Sequence, residues 1–189
     1  LEKNAVHQGV ALEVTPLFWG SISQVCKPNN DNNLVLVLDK VTDPQNVGAI
    51  LRSAEVFGAA AVVTQTRNSA PETGALAKAA SGTLERQPYL RLPNLARALA
   101  TLKQMGFICI GLDGTSNLDI GEGLSKLPVS SIALIVGAEG SGLRELTKKN
   151  CDNVLRIPSQ GNFGSLNVSN AAAIALFASR SQLSNWQCI

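Results

Sequence analysis

One histidine and four cysteines are too few and too scattered for this chain to hold a metal or a disulfide framework. Cys26, Cys109, Cys151 and Cys188 form no Cys-x-x-Cys pair, and only His7 is available to join them. No metal is expected, and the thiols read as reduced. Long apolar runs are missing too: none approaches the ~20 residues that cross a bilayer. No charged, apolar and small-residue series marks a secretory leader, so the expectation is a cytoplasmic protein with no membrane partner. Excess charge is also lacking. A net charge of +2 and a pI near 8.4 permit a nucleic-acid partner without demanding one, because strongly basic binding domains lie above a pI of ~9. Phosphate-loop signatures are absent. The Gly-rich segment Gly137-Ala138-Glu139-Gly140-Ser141-Gly142 lacks the Lys-Ser/Thr ending of a P-loop, and its spacing is not G-x-G-x-x-G.

What is present is enough for one well-cored domain: 189 residues, of which 45% are hydrophobic and only 16% charged, a balance that excludes disorder. Residues 1–33 read as a linker and extended segment, ending in a polar loop around Lys27 to Asn33 with strong turn chemistry. From residue 34 to 189 strands and helices alternate. Strands are expected at Leu34–Leu38, Ala60–Thr64, near Tyr89, at Phe107–Gly111, Ile132–Val136 and Val154–Ile157. Helices are expected at Pro44–Phe57, Glu72–Ser81, Asn94–Met105, Ser141–Lys149 and Leu166–Arg180, with Gly58 and Gly106 as C-caps. Such alternation predicts an α/β fold, a mostly parallel sheet with helices on both faces.

Three polar or Gly-rich junctions follow apolar strands, where open α/β sheets place their sites. The first is Asp43-Pro44-Gln45-Asn46-Val47-Gly48-Ala49-Ile50-Leu51-Arg52, in which Asp43 can cap and Pro44 suits the first helical position. Its stripe of Val47, Ile50, Leu51, Ala54 and Phe57 leaves Arg52 off the buried face. The second is Gly137 to Leu143. The third is Ser165-Leu166-Asn167-Val168-Ser169-Asn170-Ala171.

In this order the three segments resemble the motifs of the SpoU/TrmH (SPOUT) family of RNA 2′-O-methyltransferases, over about Leu34 to Arg180. The stretch from Ser69 to Leu95 is similar to the subgroup that methylates a guanosine ribose in 23S ribosomal RNA. The resemblance implies S-adenosyl-L-methionine as the cofactor, ribosomal RNA as substrate and a homodimer. It also implies a deep C-terminal trefoil knot threaded by roughly Val154 to Arg180, against the physical default of an unknotted chain. Asn4 to Ala11 is similar to the junction after the subgroup's small N-terminal RNA-binding domain, and the chain opens on Leu1, so an upstream part is expected. Transfer RNA as substrate, and a non-catalytic RNA-binding protein, are the alternatives.

By the same resemblance Arg52, Asn46, Glu139, Ser165 and Asn167 form the catalytic set, and Gly111, Gly137, Ile157, Leu166 and Ser165 contact the cofactor. The residues themselves allow plainer roles. Arg52 suits an amphipathic helix surface; as a catalytic group it would act on the ribose and phosphate, either as the family's proposed base or, better for a group almost always charged, as an electrostatic stabiliser. Asn46 can cap, or meet Arg52 from the helix start. Glu139 can be a helix N-terminal charge or orient neighbouring polar groups. Ser165 and Asn167 can cap the final helix. Ile157 and Leu166 suit a core or an adenine wall, and Arg144, Lys148 and Lys149 a solvated face or an RNA phosphate site.

Overall fold

The computed structural model describes residues 9, 13–15, 17–28, 33–127, 130–161 and 165–183. Its strands are β1 (Leu34–Asp39), β2 (Ala61–Gln65), β3 (Tyr89–Leu92), β4 (Ile108–Leu112), β5 (Ile132–Gly137) and β6 (Asn153–Leu155). The helices are α1 (Ile22–Val25), α2 (Pro44–Val56), α3 (Gly74–Ala80), α4 (Leu95–Gln104), α5 (Ile120–Ser125), α6 (Glu145–Lys149) and α7 (Val168–Gln182). His7, Cys188, the Asn4 to Ala11 junction, most of the polar loop and residues 162–164 lie outside the described residues.

All strand pairings are parallel, in the order β3-β2-β1-β5-β4-β6. Central β1 is buried throughout because alternate side chains enter two cores. Leu34, Leu36 and Leu38 join α2, α3, α5 and α7, while Val35 and Val37 join α1 and α4. Helix α2 starts as its sequence dictates: the Asp43 carboxylate accepts from the backbone N–H of Gln45 and Asn46, both at 3.2 Å, ahead of Pro44 at the first turn. Val47, Ile50, Leu51 and Ala54 are buried, and Gly58 takes a φ of 64° just beyond the C-cap Phe57.

The helix expected over Ser141–Lys149 is shortened to α6. Residues 138–142 instead form a tight loop closed by an Ala138–Gly142 bridge, with φ of 77° at Gly140 and 62° at Gly142. These left-handed glycines turn the chain before a helix can start. Helix α7 begins at Val168 rather than Leu166 because Asn167 is its cap. Helices α1 and α5 and the 3₁₀ turn Thr83–Glu85 were not expected; each is too short for a periodic signal.

After edge strand β6 the chain pairs Arg156 with Asp119 through a parallel bridge and a guanidinium–carboxylate contact of 2.5 Å, and α7 then returns to the sheet centre against α2, β1 and β5. Arg180 fastens its far end. Its Nε donates to the Phe57 carbonyl at 2.8 Å, Nη1 to Asn33 Oδ1 at 3.0 Å and Nη2 to the Gly58 carbonyl at 2.5 Å, satisfying acceptors left open at the end of α2.

Helices α2 and α3 touch through backbone at Gly48. A methyl there would stand 2.7 Å from the Ala79 carbonyl carbon and 2.8 Å from the Ala80 nitrogen. Gly48→Ala is therefore expected to lower stability by about 1–3 kcal/mol, the usual range for overpacking, and more if the helices cannot part. Urea unfolding monitored by circular dichroism checks this, with an unchanged midpoint contradicting it.

Candidate active site

Three strands end on one rim, and the loops that follow them surround a cleft of about 860 Å³. Its walls are mixed: Leu112, Val136, Ile157, Leu166, Val168 and Ala171 supply apolar surface, and the 113–115 and 137–142 loops supply backbone and small polar groups. Gly137 has no room for a side chain, since a Cβ would collide with Gly142 and Leu143, and so the loop folds back tightly over the strand end.

At the edge of this cleft the three sequence junctions meet. Asn167 donates through Nδ2 to Glu139 Oε1 at 2.6 Å and to Asn46 Oδ1 at 3.0 Å. Its Oδ1 accepts from the Ser169 backbone N–H at 2.9 Å and from the Ser169 hydroxyl at 2.5 Å, which fixes the amide orientation. Glu139 Oε1 also accepts from the Val168 N–H at 3.2 Å, placing a carboxylate at the positive end of α7. Capping and site-building are thus one arrangement. The possible Asn46–Arg52 contact is not formed; Asn46 reaches Asn167 instead, because it stands in the first turn of α2, facing α7.

The cleft brings together Gly137, Glu139, Ile157, Ser165 and Leu166. Ser165 and Leu166 are exposed toward it, and Ile157 is partly buried against the α2–α7 core. Gly111 stands one residue behind the wall, buried against Leu143 and Cys151, and Leu112 is the wall residue at that strand end. Arg52 is exposed on the outer face of α2 and does not line the cleft of its own chain.

Sequence reasoning missed the loop after β4. Asp113 accepts from the Thr115 N–H at 2.9 Å and hydroxyl at 2.6 Å, and pairs with Lys148 at 2.6 Å, joining this loop to α6 across the cleft. Burial raises the Asp113 carboxyl, but the bonds from Lys148 and Thr115 outweigh it and hold the group below its ordinary value. The same bond, chiefly, raises Lys148. The available signal was the polar turn Asp113-Gly114-Thr115-Ser116 directly behind an apolar strand. Arg144 is likewise engaged. Its Nε meets Asp39 Oδ1 at 2.7 Å and its backbone N–H meets Oδ2 at 3.1 Å, so fully buried Asp39 has a partner. Of the basic trio Arg144, Lys148 and Lys149, two are committed to internal pairs.

Three thiols are inert by environment: burial pushes Cys26 and Cys109 up to about 12 and Cys151 up to about 11. Among the described residues no group of three or more potential ligands could hold a metal ion, and no helix is long and apolar enough to cross a membrane.

Residues 33–177 match the model of the SpoU rRNA Methylase family. The chain is 40% identical over 177 residues to an uncharacterized tRNA/rRNA methyltransferase of Synechocystis sp., covering 92% of this chain and 45% of that protein. It is also 40% identical over 187 residues to the 23S rRNA (guanosine-2′-O-)-methyltransferase RlmB of Vibrio cholerae, covering 97% of this chain and 74% of the relative. Among solved structures, the SpoU methyltransferase AviRb of Streptomyces viridochromogenes in complex with AdoMet superposes with a TM-score of 0.71 at 25% identity, over 83% of this chain and 60% of that one. The chain thus spans from under half to about three quarters of these relatives. The parallel α/β sheet and the final helix returning to its centre carry the knotted SPOUT fold expected above. With the motif junctions bonded to one another and the family model matched across most of its length, this chain belongs to the SpoU rRNA methylase family.

Proposed function

We propose that residues 34–189 form the catalytic domain of an S-adenosylmethionine-dependent RNA 2′-O-methyltransferase acting on a guanosine ribose in 23S ribosomal RNA, with residues 1–33 leading into it. The observation that carries this reading is the convergence of Asn46, Glu139 and Asn167 on the rim of the cleft. The cleft suits the cofactor: its volume falls in the range for small-molecule sites, and its walls offer apolar surface with a few backbone groups. Gly137, Ile157 and Leu166 would hold it, with Gly111 keeping the strand end thin behind Leu112.

When bound, S-adenosylmethionine supplies an activated methyl. The chain's own task is to hold a ribose hydroxyl in line and stabilise its oxygen as the proton leaves. Ser165, on the cleft wall, would touch the ribose, and Asn167, bonded to Glu139 and Asn46, would set the geometry of that rim. Arg52 acts from a second copy of the chain, as a charged clamp on phosphate and developing alkoxide. Val56 is 67% exposed on α2, and Ile174 and Phe177 are about half exposed on α7, an apolar strip on the two helices that a homodimer would cover.

Arg52→Ala should cost on the order of 10² to 10³ in methyl transfer, about 3–4 kcal/mol, while cofactor affinity stays within a few-fold. Arg52→Lys should rescue little, since lysine lacks the planar fork. Single-turnover assays on naked ribosomal and transfer RNA, with calorimetry of S-adenosylmethionine, measure both effects and separate the two substrates; near wild-type turnover in the alanine variant would refute the role of Arg52. Sedimentation at micromolar concentration should give a dimer, and a fully active monomer would exclude a clamp supplied by a second copy.

A further inference from the structure

The carboxyl edge of the sheet continues past the cleft onto β2 and β3, and it carries cations that take part in no ion pair among the described residues. Register places Val136 of the cleft wall beside Leu38, Leu38 beside Thr64, and Thr64 beside Arg91. At ~4.8 Å per strand, this row reaches Arg91 about 14 Å from the cleft. Arg91 Nη2 donates to the Thr66 carbonyl at 3.0 Å, but its Nε is buried without a partner. A buried guanidinium nitrogen without a partner is uncommon, and it shows how closely Arg91 is held beside Thr66.

The loop after β2 is built to stay in place. The Tyr89 hydroxyl donates to the Ala70 carbonyl at 3.0 Å, Arg91 holds Thr66, and Asn68 takes a left-handed φ of 57° that shapes the turn beside exposed Arg67. Lys40, exposed immediately after β1 with a φ of 60°, stands on the same edge. Among the described residues the side chains of Lys40, Arg67 and Arg91 take part in no ion pair. Glu72 is the carboxylate on this loop, and it pairs with none of them. By contrast, Arg144 and Lys148 on the cleft side are both committed to carboxylates.

We propose that Lys40, Arg67 and Arg91 form a phosphate-binding strip that holds the RNA backbone a few nucleotides from the methylated ribose. The inference rests on the methyltransferase reading above and adds to it where the substrate strand runs. A chain with a net charge of only +2 has little long-range pull on RNA, so local cations at the edge of the cleft carry more of the contact.

The test measures binding of a 23S rRNA transcript across about 50 to 200 mM salt for the wild-type protein, Arg67→Glu, Lys40→Ala and Lys126→Glu. Lys126 is exposed beyond the end of α5, on the stretch that leads to the amino end of β5, and controls for net charge alone. Arg67→Glu should weaken binding roughly tenfold and lower the salt slope by about 0.7 to 0.9 for each phosphate no longer held, and Lys40→Ala should act in the same direction. The KM for RNA should rise with them, S-adenosylmethionine affinity should not move, and Lys126→Glu should bind as wild type. If the wild type methylates the transcript and Arg67→Glu matches its affinity and slope, or Lys126→Glu weakens binding equally, the strip is overturned and the function stands. If the wild type binds S-adenosylmethionine but neither binds nor methylates the transcript, the functional reading falls and the strip with it.

Discussion

The side-chain amide of Asn167 has two hydrogens to donate and one oxygen to accept with, and every one of these capacities is used to tie a different piece of chain. One bond reaches Asn46 across 121 residues, another reaches Glu139 across 28, and the oxygen caps the helix that follows. Neither an acid nor an alcohol could substitute in that position: an acid would lose the donors, and a hydroxyl would have too few. The bond to Glu139 is charge-assisted and so stronger than an ordinary amide contact, which fixes the amide against the carboxylate. The rim of the cleft depends on that one orientation.

A second pair sets the other side. Asp39 is fully buried at the end of the central strand, where an unpaired carboxylate would be costly, and Arg144 satisfies it through both side chain and backbone. The loop 138–142 is therefore stretched between two fixed points, the end of β5 and the start of α6. Its glycines bend sharply because both anchors are set. Lys148, one turn further along α6, then reaches Asp113 and secures the loop after β4 to the same helix. A short helix of five residues, with little intrinsic stability, is held by ion pairs at both ends.

The parts legible in the sequence were those written in local terms. The run Leu34–Leu38 had to be a buried strand, and Asp43-Pro44 ahead of an apolar stripe had to be a helix start. Asn94 and Gly106 marked the limits of α4 as read. Misjudgements came where tertiary contacts override local preference. Ser141 to Lys149 has helical composition, yet the turn through Gly140 and Gly142 delays the helix until Glu145. Capping or a contact with Arg52 were the roles open to Asn46 in sequence, whereas its partner is Asn167 at the cap of α7. Pairs such as Asp39–Arg144, separated by 105 residues, leave no periodic trace for a reader of the sequence. The candidate site residues were expected through motif likeness, and the structure adds the hydrogen bonds that join Asn46, Glu139 and Asn167.

Helix α7 is bonded at its first turn to Asn46 and Glu139 through Asn167, and near its last turn to Asn33, Phe57 and Gly58 through Arg180. It thus acts as a crossbar driven through work laid down much earlier. The first two junctions precede in sequence the helix that joins them. The bonds that shape the rim all need Asn167, at the start of that last helix. A chain ending before that helix would carry most of the sheet and none of the completed rim.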